Sequence, residues 1–166
     1  MTEMRSHEEF AADSAQQANV IAQQRQTIAE METPVIQVWP GILALPIVGS
    51  VDTARAQQMN ESLLEQIVAT GSEIVLLDIT GVPVIDTAVS KHLLETVSAA
   101  RLLGAEVLIV GLSTRTALTL VQLGLDLSGV TTRTTMAKGL ELAFARLGLE
   151  VVPRRRAPTA PEPSEA

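Results

Sequence analysis

The sequence EIVLLDITGVPVIDTAV, residues 73–89, decides the fold of this chain. Its first part, residues 73–79, carries a continuous apolar run that is typical of a strand buried on both faces of a partly parallel sheet. Residues 80–85 form a connection, and Asp86 is a residue type that caps helices. The helix that follows has its inward positions at Val89, Leu93, Val97 and Ala100. A buried strand followed by an amphipathic helix predicts an α/β fold.

The flanking sequence continues this alternation of strands and helices. Upstream, residues 34–39 and 42–48 flank a Pro40-Gly41 turn and predict a hairpin, and Asp52 or Thr53 begins a helix that ends before Gly71. Downstream we predict a strand, a helix, a short edge strand and a last helix, at residues 106–111, 114–123, 130–132 and 135–147. The pattern predicts an α/β sandwich whose mixed sheet has four to five strands, with helices packed mainly on one face.

The two ends of the chain differ from this central part. Residues 1–33 are predicted to be an N-terminal linker helix, because residues 6–31 are rich in Ala and Gln. A sparse apolar row, formed by Ala18, Ile21, Ile28 and Met31, could line a dimer seam, so we expect a homo-oligomer. Residues 34–150 form the folded domain. Residues 151–166, rich in Pro, Ala and Glu, are expected to be disordered.

The composition of the chain limits its possible partners and the kinds of chemistry it can perform. The chain has 166 residues, a formal net charge of −7 and no cysteine. A negative charge spread along the chain argues against nucleic acid or an anionic membrane as partner, and the lack of cysteine excludes disulfides and thiolate chemistry. The N-terminus lacks a secretory pattern, and no apolar stretch reaches the roughly 20 residues that span a bilayer. We therefore expect a cytoplasmic protein with protein partners.

Several segments together resemble a known family. They are PVI at 34–36, LPIVGSVDTARA at 45–56, LDITGVPVIDTAV at 77–89, LLGAE at 102–106 and VQLGLDL at 121–127. Between about residues 33 and 147 the chain resembles the STAS domains of anti-sigma-factor antagonists and, more closely, of RsbR-type stressosome proteins. The resemblance implies a STAS fold and a non-enzymatic regulatory domain. It also implies binding to other STAS-domain proteins and to an ATP-dependent serine/threonine switch kinase.

Two features depart from that family. RsbR-type proteins usually carry a globin-like sensor domain, whereas only about thirty residues precede the hairpin here. The segment GLSTR, residues 111–115, stands where the family often has Arg-Pro-Glu. We expect this loop to contact partners in a different way.

Thr87 is the main candidate for modification. It follows Asp86 at a helix start, where a hydroxyl can face solvent and where a phosphate would add about −1.5 to −2 charges. The alternative is that Asp86 and Thr87 only cap the helix, a contribution of about 1 kcal/mol. The resemblance implies that Thr87 is a phosphate acceptor and that Thr119, on the third helix of the domain, is a second one.

The predicted interface surrounds Thr87. We expect Asp52, Thr53, Asp86 and Ser90 to contact partner proteins. Because Asp86 would repel an added phosphate, phosphorylation can release a partner.

Catalytic chemistry has little support in the sequence. The two histidines, His7 and His92, lack the spacing of a metal site, and no glycine-rich nucleotide motif is present. A constellation of Thr87, His92 and Asp78 or Asp86 has poor geometry for nucleophilic catalysis, and Asp78 is expected to hydrogen-bond the following loop. We predict no catalytic residues, metal or cofactor. The alternative function is a STAS-fold module that binds an apolar ligand or a nucleotide in a surface groove.

Overall fold

A computed structural model describes residues 12–24 and 34–154 of the chain. Residues 12–24 are helical and are called α1 here. The remaining elements are, in order, β1 (Ile36–Trp39), β2 (Ile42–Val48), α2 (Thr53–Thr70), β3 (Ile74–Gly81), α3 (Thr87–Leu102), β4 (Glu106–Val110), α4 (Thr114–Gln122), β5 (Thr131–Thr132) and α5 (Met136–Arg146). The alternation of strands and helices from residue 42 onward confirms the predicted α/β class.

The five described strands form one mixed sheet in the order β1-β2-β3-β4-β5. β1 pairs with β2 in antiparallel orientation, which confirms the hairpin. The pairs β2·β3, β3·β4 and β4·β5 are all parallel. Leu76 of the central strand β3 faces Ala44 on one side and Leu108 on the other. The continuous apolar runs of β2, β3 and β4 follow from this arrangement, because both faces of these strands are buried.

Helices cover the two faces of the sheet unequally. One hydrophobic cluster joins alternate residues of β2, β3 and β4 to α2, α3 and Leu120 of α4. The opposite cluster joins the intervening strand residues to α5, through Ala143 and the partly buried Met136, Leu140 and Phe144. Three helices therefore contribute to one face and one to the other, which agrees with the prediction that helices pack mainly on one face.

The approach of α5 to the sheet depends on Gly139. A Cβ atom at this position would overlap Cγ1 of Val110 and lie 3.3 Å from Cδ2 of Leu76. Both partners are completely buried in the sheet. Since real Cβ contacts are not this short, only glycine lets the backbone of α5 lie so close to β3 and β4.

Some sequence expectations shift or fall outside the described residues. The helical spacing of Met59, Leu63, Leu64, Ile67 and Val68 predicts that all five face inward on α2. Val68 is nevertheless exposed, because it lies about 100° around the helix from the buried Ile67. α1 is exposed along its whole described length, including Ile21. Ile28, Met31 and residues 155–166 lie outside the described residues, so the dimer seam and the disordered tail stay predictions.

Candidate functional site

The parallel order of the sheet brings three helix starts to one edge. β2, β3 and β4 run in the same direction, and each is followed by a helix. The N-caps of α2, α3 and α4 are Asp52, Asp86 and Ser113, so these side chains lie along the edge formed by the carboxyl ends of the strands. Each cap accepts a hydrogen bond from the backbone N–H three residues later. Asp52 and Asp86 are thus caps, as predicted.

Two of these helices, α2 and α3, begin with the same pair of residue types, an aspartate followed by a threonine. Asp52 and Thr53 open α2 in the way that Asp86 and Thr87 open α3, and all four residues are exposed. The Oδ1 atom of Asp52 lies 2.8 Å from the backbone nitrogen of Arg55, and that of Asp86 lies 2.8 Å from the nitrogen of Val89. The sequence-predicted residues Asp52, Thr53, Asp86 and Thr87 therefore share one edge of the molecule.

The two threonines differ in their contacts. Oγ1 of Thr53 lies 3.5 Å from Nε2 of His92 on α3, and Nδ1 of the same ring lies 3.3 Å from Glu95. The hydroxyl of Thr87 makes no side-chain hydrogen bond to any residue between 34 and 154 that the structure describes. The histidine therefore joins α2 to α3 instead of joining Thr87 in a catalytic constellation. Thr87 presents a free hydroxyl at the edge.

The end of β3 is held in place before the loop that leads to Thr87. Oδ1 of Asp78 accepts hydrogen bonds from the backbone nitrogen and the hydroxyl of Thr80, at 2.9 Å and 2.6 Å. Gly111 lies against this turn with φ at 84°, and a Cβ there would lie 2.8 Å from the same Asp78 oxygen. Asp78 thus bonds Thr80 within the last residues of β3 and not the loop that follows, because the strand runs on to Gly81, and Gly111 allows the end of β4 to approach it closely.

Thr119 lies in a groove beside that loop. The groove has a volume of about 110 Å³ and is lined by Pro83, Val84, Ile85, Arg115, Thr116 and Thr119. Thr119 is half-buried, and its hydroxyl donates to the backbone carbonyl of Arg115 at 3.0 Å. The segment that leads into Asp86 and Thr87 is therefore one wall of the groove that contains Thr119. The sequence places Thr87 and Thr119 on separate helices and does not show that the loop before Thr87 borders Thr119.

Ser90 is not at the surface. Its side chain is 2% exposed, and its hydroxyl has no hydrogen-bond partner among the described residues. It borders a small, mainly apolar cavity with Leu93, Ile109 and Leu120. The position faces the core because Ser90 is one turn before the buried Leu93 on the same side of α3. Direct contact between Ser90 and a partner is therefore not supported by its place in the structure.

The volumes of the grooves also bear on the alternative function, which is binding of an apolar ligand or a nucleotide. The cavity beside Ser90 offers about 10 Å³, close to the space of one water, so it has no room for an apolar ligand. A wider groove of about 530 Å³ lies between the start of α4 and the β5–α5 connection, where Arg133 and Lys138 are among its lining residues. A nucleotide or other small anion would fit there better than in the core. Small-molecule binding stays a prediction.

The described parts of the chain contain neither a cluster of metal ligands nor a helix suited to a membrane. In residues 12–24 and 34–154 no three His, Asp or Glu side chains come together as a metal site would require. None of the described helices has both the length and the apolar content to cross a bilayer. The pKa of Asp126, in the loop after α4, lies below its ordinary value because the Ser128 hydroxyl and then the Ser128 backbone N–H bond its carboxylate.

The profile of one family, the STAS domain, matches residues 33–139, which is most of the described chain. The chain belongs to the STAS family. The match includes the hairpin, the parallel strands, and the starts of α2, α3 and α4. This confirms the resemblance and the fold expected from residues 34–147.

Known proteins similar to this STAS domain are regulators by name. RsbT co-antagonist protein RsbRA of Bacillus subtilis is 40% identical over 132 residues, covering 80% of this chain and 48% of the relative. A serine-to-glutamate variant of Moorella thermoacetica RsbS has a TM-score of 0.61 and 28% identity, covering 70% of this chain and 98% of that one. A chain from a structure titled as the molecular architecture of the stressosome has a TM-score of 0.56 and 29% identity, covering 69% and 98%.

The extent of these matches differs between relatives. This chain spans about half the length of the curated relatives that it matches, at 48% for RsbRA and 42% for the related RsbRD. It spans almost all of the solved RsbS variant. The part shared with RsbRA, 132 residues, is longer than the STAS match at residues 33–139.

Proposed function

We propose that this chain is a non-enzymatic regulator of a stress-response, stressosome-like pathway. It binds other STAS-domain proteins and a serine/threonine switch kinase, and phosphorylation of Thr87 changes those contacts. The proposal is supported by the names of the relatives, which include RsbT co-antagonists and a stressosome structure. The main structural support is the Thr87 hydroxyl, which is exposed and makes no hydrogen bond to another described side chain. It lies at the edge of the sheet where α2, α3 and α4 begin.

The start of α3 can accept a phosphate without loss of the helix. Asp86, and not Thr87, supplies the cap to Val89. The kinase would transfer the γ-phosphoryl group of ATP to Oγ1 of Thr87, so that a P–O bond forms there, the bond to ADP breaks and the hydroxyl proton is released. The first-turn N–H groups and the helix dipole tolerate negative charge at this end.

The effect of the phosphate would fall on the interface. A phosphothreonine carries about −1.5 to −2 charges, and Asp86 beside it is already an acidic residue. Close negative charges disfavour a partner surface that is acidic or apolar, and favour one that is basic. The exposed Val84 just upstream adds an apolar contact that such a partner could cover. A partner that covers the unmodified edge with an acidic or apolar surface would therefore be released.

Self-association is part of the same proposal. Val20 and Ile21 are each about half exposed on α1, so this helix presents apolar side chains that pairing with a second copy would bury. The STAS domain then remains free to contact other STAS proteins through the edge that carries Thr53 and Thr87.

Phosphopeptide mapping tests the switch. The full chain is incubated with its switch kinase and ATP, as wild type, Thr87→Ala and Thr53→Ala. Thr53→Ala is the matched control, because Thr53 has the same place after an aspartate cap but contacts His92. We expect phosphate on Thr87 in wild type and in Thr53→Ala, and its loss from that peptide in Thr87→Ala.

Partner binding gives the second readout. Thr87→Asp places one added charge beside Asp86 and should weaken binding to a partner STAS protein, whereas Thr87→Asn, which has the same size but no charge, should weaken it less. Phosphate found only outside α3, or unchanged partner affinity in Thr87→Asp, would show that Thr87 is not the switch.

A further inference from the structure

The groove that contains Thr119 has one charged side chain in its lining, and that side chain is a cation. Arg115 is exposed, and its guanidinium makes no hydrogen bond or ion pair with any residue in 12–24 or 34–154. The other lining residues, from the loop and from α4, are uncharged. Because Arg115 precedes Thr119 by four positions on α4, the two side chains are neighbours on the helix surface.

We propose that Arg115 is the receptor for a phosphate on Thr119, so that the modified threonine is held within the groove against the loop that leads to Thr87. This adds to the proposed function the second phosphate acceptor, Thr119, that the family resemblance implies. Phosphorylation at Oγ1 removes the hydrogen that Thr119 gives to the Arg115 carbonyl and adds three acceptor oxygens. The guanidinium can donate two parallel bonds to such oxygens.

The space in the groove agrees with this role. Its volume of about 110 Å³ is several times the roughly 10–15 Å³ that a single water requires on the same measure. The phosphoryl group adds four heavy atoms, so it can occupy the groove without moving the α4 backbone. Val84 and Ile85, on the opposite wall, would then lie beside the bound phosphate.

The consequence is a link between the two threonines. The wall formed by Pro83, Val84 and Ile85 continues directly into Asp86 and Thr87. A phosphate held by Arg115 would order this connection and place negative charge near the start of α3. Modification of Thr119 would therefore change how Thr87 is presented to a partner, while the two hydroxyls remain separate sites.

The test uses the full chain with phosphothreonine installed at position 119 by genetic code expansion, so that no kinase is needed. Phosphorus NMR then follows the phosphate through its second ionisation, whose ordinary pKa is about 6. We expect the pKa in the folded protein to be lowered by about one unit, the low end of the effect of an arginine beside a carboxylate. Arg115→Gln should return the pKa to its ordinary value.

Arg146→Gln is the matched control, because it removes the same charge from α5 on the other face of the sheet. In the Arg146→Gln variant, the phosphate on residue 119 should keep its lowered pKa. In the wild-type phosphoprotein the backbone amide signals of Val84 and Ile85 should also move, and that change should be smaller in Arg115→Gln.

Equal phosphate pKa values in wild type and Arg115→Gln would overturn the proposal, and so would loss of the native circular dichroism spectrum on modification. Because the phosphate is installed without a kinase, failure here is distinct from failure of the kinase to modify Thr87.

Discussion

The cap at Asp86 has two physical contributions, and substitutions can separate them. Asp86→Ala removes both the 2.8 Å hydrogen bond to Val89 and the negative charge at the start of α3. The side chain is exposed, so little apolar burial is lost with it. Loss of the cap should lower the free energy of unfolding by about 1 kcal/mol. For a domain of this size that is a fall in Tm of about 4 °C.

Asp86→Asn keeps an amide oxygen that can accept the same bond but removes the charge. The interaction of a charge with the helix dipole is worth about 0.3–1 kcal/mol at low ionic strength, and at 1 M salt the screening length falls to about 3 Å. We therefore expect Asp86→Asn to lose some stability at low salt and almost none at 1 M salt. Asp86→Ala should still lose about 1 kcal/mol at 1 M salt.

Urea unfolding followed by circular dichroism, at both salt concentrations, measures these differences. Asp52→Ala and Asp52→Asn are the matched pair, since Asp52 caps α2 with the same geometry. The reasoning is refuted if Asp86→Asn is as unstable as Asp86→Ala at 1 M salt, or if Asp86→Ala unfolds as wild type does. Asp86→Asn is then the suitable background in which to measure how much the carboxylate charge adds to the effect of a phosphate on Thr87.

Three further substitutions, Gly139→Ala, Ser90→Ala and Thr96→Val, test the packing of the domain. Gly139→Ala should lower the free energy of unfolding by up to about 2 kcal/mol, because overpacking against Val110 costs about 1–3 kcal/mol and the gain in helix propensity offsets only about 1 kcal/mol of it. Urea unfolding of the double variant with Val110→Ala should show a smaller cost than the sum of the two single variants, and strict additivity would contradict the close contact. Ser90→Ala should raise the free energy of unfolding by up to about 1 kcal/mol, because its buried hydroxyl has no partner. A loss of stability in Ser90→Ala would show that the Ser90 hydroxyl has a hydrogen-bond partner. In contrast, Thr96→Val should lower the free energy of unfolding by about 1–2 kcal/mol, since Thr96 is buried and its hydroxyl bonds Asn60 and the His92 carbonyl.

Features set by local chemistry were predictable from the sequence. Asp52 and Asp86 are caps in the structure because an aspartate before an apolar stripe offers its oxygen to an N–H group three residues ahead, and no distant residue is required. Gly71 ends α2 in a left-handed conformation for a similar local reason. The strand bounds moved by only one or two residues, as at β1, which begins at Ile36 and not at residue 34.

Features that depend on distant segments were not predictable in the same way. Whether Ser90 faces a partner or the core depends on which side of α3 meets β3 and β4, and the sequence pattern alone left it beside Thr87 on an expected surface. The close contacts of Gly111 and Gly139 arise from strands and helices far apart in sequence. Arg115 did have a local signal, a cation four positions before a threonine, but the groove that makes it significant requires the loop at Pro83 to lie against α4.

The clustering of candidate residues on one edge follows from topology. In a parallel arrangement each strand ends on the same side of the sheet, so each following helix must begin there. In sequence, 34 positions separate Asp52 from Asp86, and 27 separate Asp86 from Ser113. Their helices nevertheless follow strands that are neighbours in the sheet. A charge added at one start is therefore added to a surface that the other two share. Under the proposed function, this gives phosphorylation of a single threonine a physical means of altering a whole interface.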